Sequence, residues 1–125
     1  MTIYPSLRYR DARAAIDWLG EAFGFTEKEA HVDDDGVIRH AELYGGGGIV
    51  MLGTEPPGGD PTWGEHAGTC WLYISTDDPD ALHDRAAAAG ATVARPLEDT
   101  DYGSRGFTVR DLEGNIWSFG SYAPS

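Results

Sequence analysis

The feature that most limits how this chain can fold is an internal repeat. A fourteen-residue helical pattern that begins at Asp11 recurs 66 residues later at Asp77, and self-similarity at a fixed offset marks repeated supersecondary units. In the first copy Ala12, Ala15, Ile16, Leu19, Ala22 and Phe23 recur at helical spacing, with Asp11 placed to cap the start and Gly24 to end the helix. In the second, Asp77 or Asp78 is the cap, Pro79 sits in the first turn, and Gly90 aligns with Gly24.

The flanks repeat as well. A short β-type run precedes each helix, Ser6–Tyr9 in the first copy and Cys70–Ser75 in the second. Strand and turn signals follow, over about 28–33, 37–43 and 48–53, and again over 92–95, 105–110 and 115–122. The stretches 44–52 and 111–119 correspond at an offset of 67 and read as hairpin turns entering a last strand. The expected fold class is therefore α+β, two βαβββ modules at about 1–53 and 69–123 within a single domain. Residues 54–68 form a linker too rich in proline and glycine for regular structure.

Composition narrows the function classes. A chain of 125 residues suits one domain. It has no apolar run near the roughly 18 residues of a membrane span and no basic-then-apolar leader, so a cytoplasmic location is expected. One cysteine, Cys70, cannot form an internal disulfide or a cysteine metal site and reads as a small packed residue. With 21 acidic and 9 basic residues the net charge is −12, which opposes nucleic acid and anionic membranes as partners; it permits a cationic small molecule and equally serves plain solubility.

Taken together, Pro5–Ala12, Phe23-Gly24-Phe25, His40–Leu43, Tyr102-Gly-Ser-Arg105 and Asp111–Trp117 resemble the vicinal oxygen chelate superfamily, the glyoxalase, bleomycin resistance and dioxygenase fold, and within it the PhnB-like glyoxalase branch. The resemblance implies that the modules form a curved eight-stranded mixed sheet with helices on its convex face, a concave ligand cleft, and a homodimer. It also implies, for the metal-dependent members, four histidine, glutamate or glutamine side chains on the first and last strands that hold one divalent ion. Carried onto this chain, those positions are Tyr4 or Ser6, Met51, Trp71 and Ser118. None is a histidine or carboxylate, and methionine and tryptophan do not hold a hard cation. A one-residue slip adds no ligand except Cys70.

Without the chelate, the chain looks like the antibiotic-sequestering members, which bind rather than react. Strand alternation assigns Tyr4, Ser6, Arg8, Ile49, Met51, Trp71, Tyr73, Ile116, Ser118 and Tyr122 to the cleft, and Trp117 and Phe119 to the core. Aromatic faces of that kind offer stacking and cation–π contacts. For Trp71 and Tyr73 the alternative is an ordinary core position.

Secondary candidates lie elsewhere. His40 and Glu42, two apart on a strand, share a face opposite Val37, Ala41 and Leu43. They would act as general base and orienter, or serve simply as a polar pair. Tyr102 and Arg105 flank a glycine loop at the cleft mouth, where Arg105 either meets a ligand or pairs with Glu98, Asp99 or Asp101. Trp63 and His66 in the linker would form a lid or stay exposed, and His83 reads as surface. Asp33–Gly36 is a turn rather than a calcium loop, and Gly45–Gly48 is no phosphate cradle.

The expectation is a metal-free protein that sequesters an aromatic or cationic small molecule, with Tyr4, Arg8, His40, Met51, Trp71, Tyr73, Tyr102, Arg105 and Ser118 as ligand contacts. The alternative is a lyase, isomerase or dioxygenase whose divalent metal is held by displaced ligands such as His40, Glu42 and His66.

Overall fold

Asp11 accepts a hydrogen bond from the Ala14 amide through Oδ1, and Gly24 closes the same helix with φ 76°, a left-handed geometry that favours glycine. Between them runs α1, Ala12–Phe23, whose six apolar stripe residues are all buried. These features belong to a computed structural model that describes residues 1–56, 58 and 69–124.

The elements in chain order are β1 (Ser6–Tyr9), α1, β2 (Thr26–Val32), β3 (Ile38–Gly45), β4 (Gly48–Thr54), β5 (Trp71–Ser75), α2 (Pro79–Ala88), β6 (Thr92–Asp99), β7 (Arg105–Arg110) and β8 (Ile116–Gly120). That order is βαβββ twice. The eight strands lie in two mixed sheets of four, ordered β1-β4-β3-β2 and β5-β8-β7-β6, and each sheet has one parallel pair, β1 with β4 and β5 with β8. The chain divides into two compact units. The first holds Met1–Gly20 and β2 to β4, and the second holds everything from Thr69 on together with the last turn of α1, Glu21–Phe23.

In the first unit the sheet buries Leu7, Tyr9, Ala41, Leu43, Val50 and Leu52 on one face. Each large side chain so buried contributes about 1.5–3 kcal/mol before entropy is counted. Gly46 and Gly47, both at positive φ, make the two-residue turn of the β3–β4 hairpin. Asp33 shapes the β2–β3 turn by accepting the amides of Asp35 and Val37, as a turn residue does. One expectation needs correction: the register shift between His31 and Val32 leaves Arg39 as an extra residue, so the buried position is Ile38 and Val37 lies before the strand.

In the second unit Phe23 packs its ring against Trp117 and Phe119, with centroids 5.3 and 4.7 Å away, and Phe107 stacks on Phe119 at 5.3 Å. Helix α2 is capped by Asp78 and covers β6 and β7 from the same side. Its His83 is not a free surface group. It rests edge-on against Phe107 at 5.2 Å, and its side chain is 24% exposed. Strand β6 continues through Pro96 to Asp99, beyond the expected end at 95. As the edge strand of its sheet, with its register shifted between Arg95 and Glu98, it accommodates a residue that cannot donate a ladder hydrogen bond.

Candidate functional site

Alternation in β5, β7 and β8 separates two chemically different faces of the second sheet. Phe107, Val109, Trp117 and Phe119 are buried on the helix side, while Thr108, Ser118, Trp71 and Tyr73 share the other. Trp71 is 72% exposed and Tyr73 45%, so the expectation that both turn away from the core holds geometrically.

This face is organised by side-chain hydrogen bonds. The indole N–H of Trp71 donates to Ser118 Oγ at 2.9 Å, and Ser118 Oγ lies 2.8 Å from Thr108 Oγ1. Ser118 itself is 8% exposed. Nearby, the Tyr73 hydroxyl donates to the Tyr122 carbonyl, and the Tyr122 amide donates to Ser104 Oγ at 3.1 Å. Burial is the main influence on the Tyr73 phenol and pushes it upward, with hydrogen bonding by Ser104 and the Tyr122 backbone opposing. Tyr102 meets Tyr122 edge-on at 6.2 Å. Gly120 leaves the room that Tyr73 needs, because a Cβ there would stand 2.8 Å from the phenol oxygen.

Two adjoining cavities open on this face. The larger, about 240 Å³, reaches from Trp71 and Tyr73 across Thr108 and Ser118 to Tyr102, with Arg95 and Glu98 at its edge. The smaller, about 200 Å³, shares Trp71, Arg95 and Thr108 with it and adds Ala94 and Ile116. Arg95 and Glu98 are 3.8 Å apart and largely exposed, a weak pair whose charges remain available to a ligand.

Arg105 takes the second of its two expected roles, pairing with Asp99 rather than reaching a cavity. It shares strand parity with Phe107 and Val109, and its guanidinium binds Asp80 of α2 through two hydrogen bonds of 2.8 and 3.3 Å, with Asp99 at 3.3 Å. It therefore faces the helix layer and lines neither cavity. Asp80 was not among its anticipated partners. The guanidinium holds the Asp80 carboxyl below the usual range.

On the first sheet, Ser6 pairs with Met51 across β1 and β4, and Arg8 donates to the Thr54 carbonyl at 3.4 Å. Tyr4 is half-exposed before the strand. His40 and Glu42 do come together, Nε2 to Oε2 at 2.9 Å. They belong to a wider network that the sequence did not suggest. Lys28 bridges Glu29 at 2.9 Å and Glu42 at 3.2 Å, Glu29 accepts His31 at 2.6 Å, and the His31 and His40 rings stand 5.9 Å apart across β2 and β3. Glu29 is held down to about 2, first by Lys28 and then by His31, and Glu42 is lowered by His40 and then Lys28. Among the described residues no three histidine, cysteine or acidic side chains are placed to share a metal ion. Trp63 and His66 lie outside the described residues, so a lid or a ligand role for them has no structural counterpart here. Cys70 is half-buried, its amide donating to Asn115 Oδ1. Among the described residues no helix is long and apolar enough to cross a membrane.

The family model for the glyoxalase, bleomycin resistance protein and dioxygenase superfamily matches residues 3–119. The chain belongs to that superfamily. Among solved structures it is similar to TioX from Micromonospora sp. ML1, with 37% identity, a TM-score of 0.81, and coverage of 98% of this chain and 99% of that one. A glyoxalase/bleomycin resistance protein from Streptomyces sp. CB03234 shares the fold at 23% identity and a TM-score of 0.70, covering 93% and 96% of the two chains. An uncharacterised protein of Mycobacterium bovis is 37% identical over 121 residues, 93% of this chain and 80% of its own.

Within the superfamily, the positions to which sequence resemblance assigns a metal do not fit one in this member. Trp71 presents an N–H donor, Met51 a thioether, and the Ser118 oxygen already accepts the indole and shares a bond with Thr108. A hard divalent ion requires anionic oxygen or imidazole donors.

Proposed function

We propose that this superfamily member is a small-molecule binding protein that captures a planar aromatic compound on the open face of its second sheet and needs no metal to do so. The observation that carries this reading is Trp71: a large aromatic face left exposed to solvent, with its rotamer fixed by the bond from its N–H to a buried serine. Presenting a pre-ordered ring reduces the entropy lost on binding, and offset stacking adds about 0.5–1.5 kcal/mol per ring pair beyond area burial. A cavity of about 240 Å³ suits a one- or two-ring group, or the aromatic end of a larger molecule. The charge of −12 favours neutral or cationic ligands over anions.

Sequestration of this kind would serve drug resistance or detoxification, by a cytoplasmic homodimer. The likeness to a bleomycin resistance family supports that use, and the Tyr102–Arg105 and Asp111–Trp117 motifs support a place in the PhnB-like branch.

The test is elemental analysis of protein purified without chelator or nickel resin, followed by calorimetric titration with Zn, Ni, Mn and Fe(II). The proposal requires substoichiometric metal and no dissociation constant below micromolar. Stoichiometric metal that disappears when His40 or Glu42 is replaced would instead establish the metal-enzyme alternative.

A further inference from the structure

The hydroxyl pair beneath Trp71 has one more hydrogen than its bonds consume. Ser118 Oγ accepts the indole N–H, and a single bond of 2.8 Å joins it to Thr108 Oγ1. Two hydroxyls carry two hydrogens, and that bond uses one of them. If Ser118 donates to Thr108, the Thr108 hydrogen is left over; if Thr108 donates, the Ser118 hydrogen is. No other hydrogen bond is made by either hydroxyl among the described residues. Both side chains line the same cavity, and Ser118 is 8% exposed. Water in the open cavity can accept this hydrogen, so a ligand that displaces the water must supply an acceptor in its place or lose that hydrogen bond.

Resting on the proposed aromatic-binding role, we infer that Thr108 and Ser118 form a specificity element that donates one hydrogen bond to the ligand. The compound recognised is then a planar ring system bearing an acceptor, a carbonyl oxygen or ring nitrogen, on the edge that lies over β7 and β8 while its face meets Trp71. Purely hydrocarbon rings would leave the donor unmet. A hydroxyl is suited to this task because either oxygen can supply the hydrogen, so the pair serves acceptors in two adjacent positions.

The experiment compares two flat bicyclic probes, chromone, whose carbonyl accepts, and naphthalene, which has no acceptor. Binding is followed by the Trp71 indole signal in 1H–15N spectra of the full chain. Wild type is expected to bind chromone about fivefold or more tighter than naphthalene, the worth of one net hydrogen bond. Thr108→Val alone should keep most of that preference, since it frees the Ser118 hydrogen. Thr108→Val with Ser118→Ala should reduce it to less than about twofold, with backbone spectra confirming that the variant is folded. Equal binding of both probes by wild type, or an undiminished preference in the double variant, overturns the inference and leaves the aromatic-binding reading standing. Failure of both probes to move the Trp71 signal overturns that reading itself.

Discussion

Trp71 and Ser118 lie on neighbouring parallel strands, and a bond of 2.9 Å from indole nitrogen to serine oxygen holds an exposed ring by a buried hydroxyl. The register explains the reach: Trp71 faces Ile116 and Tyr73 faces Ser118, so the indole spans one diagonal step along the sheet. Core packing does not account for a tryptophan that is 72% exposed. The bond orients the ring on the face proposed to bind a ligand.

Ser118→Ala removes the acceptor and should free the ring. The indole N–H would turn to water, so stability should fall by only about 0.5–1.5 kcal/mol. Trp71 should show increased ps–ns motion in 15N relaxation. An indole as rigid as in wild type would mean that packing, not Ser118, holds it.

Trp71→Ala should weaken binding of an aromatic probe such as chromone by more than about 1 kcal/mol. Because the side chain is mostly solvent-exposed, urea denaturation should register a stability change below about 1 kcal/mol. Unchanged affinity would remove Trp71 from the site.

Asp111 holds the β7–β8 turn together. Buried at 8% exposure, it accepts the amides of Glu113 and Asn115 through Oδ1 and the indole N–H of buried Trp117 through Oδ2 at 3.0 Å. Asp111→Ala leaves buried donors unmet and should cost about 2–4 kcal/mol in chemical denaturation. A loss below about 1 kcal/mol would contradict this account of the β7–β8 turn.

The charged network on the first sheet should respond to acid. Glu29 is depressed from 4.5 to about 2, chiefly by its hydrogen bond with Lys28. A carboxylate lowered in the folded state contributes stability that is complete above about 4.5 and lost as pH falls toward 2. In 13C-detected titration Glu29 should ionise well below an ordinary glutamate, and Lys28→Met should return it toward 4.5. A wild-type midpoint already near 4.5 would show that solvent screening dissolves the pair.

Much of this was legible in the chain. The doubled helix pattern, with Asp11 and Gly24 at its ends, yields βαβββ twice because caps and apolar periodicity are local signals. Strand parity likewise places Trp71, Tyr73 and Ser118 opposite Trp117 and Phe119. Parity also speaks for Thr108, which alternates with buried Phe107 and Val109 yet passes as an ordinary strand threonine until Ser118 is seen beside it. What the sequence did not show depends on longer-range contacts. Arg105 took a partner 25 residues away on α2, and the bulge at Arg39 exchanged Val37 for Ile38. Pro96 sits within β6 because that strand is an edge. Lys28, Glu29 and His31 gather around His40 and Glu42 through cross-strand pairing, which spacing within one strand does not reveal.

The most direct test of the central claim is to follow the Trp71 indole signal while chromone is added to 15N-labelled protein in excess EDTA. Metal-free stacking predicts a saturable shift of Trp71, with the buried Trp117 signal much less affected. A shift that appears only when a divalent metal replaces EDTA, or a saturable binding event that leaves Trp71 unmoved, would contradict it.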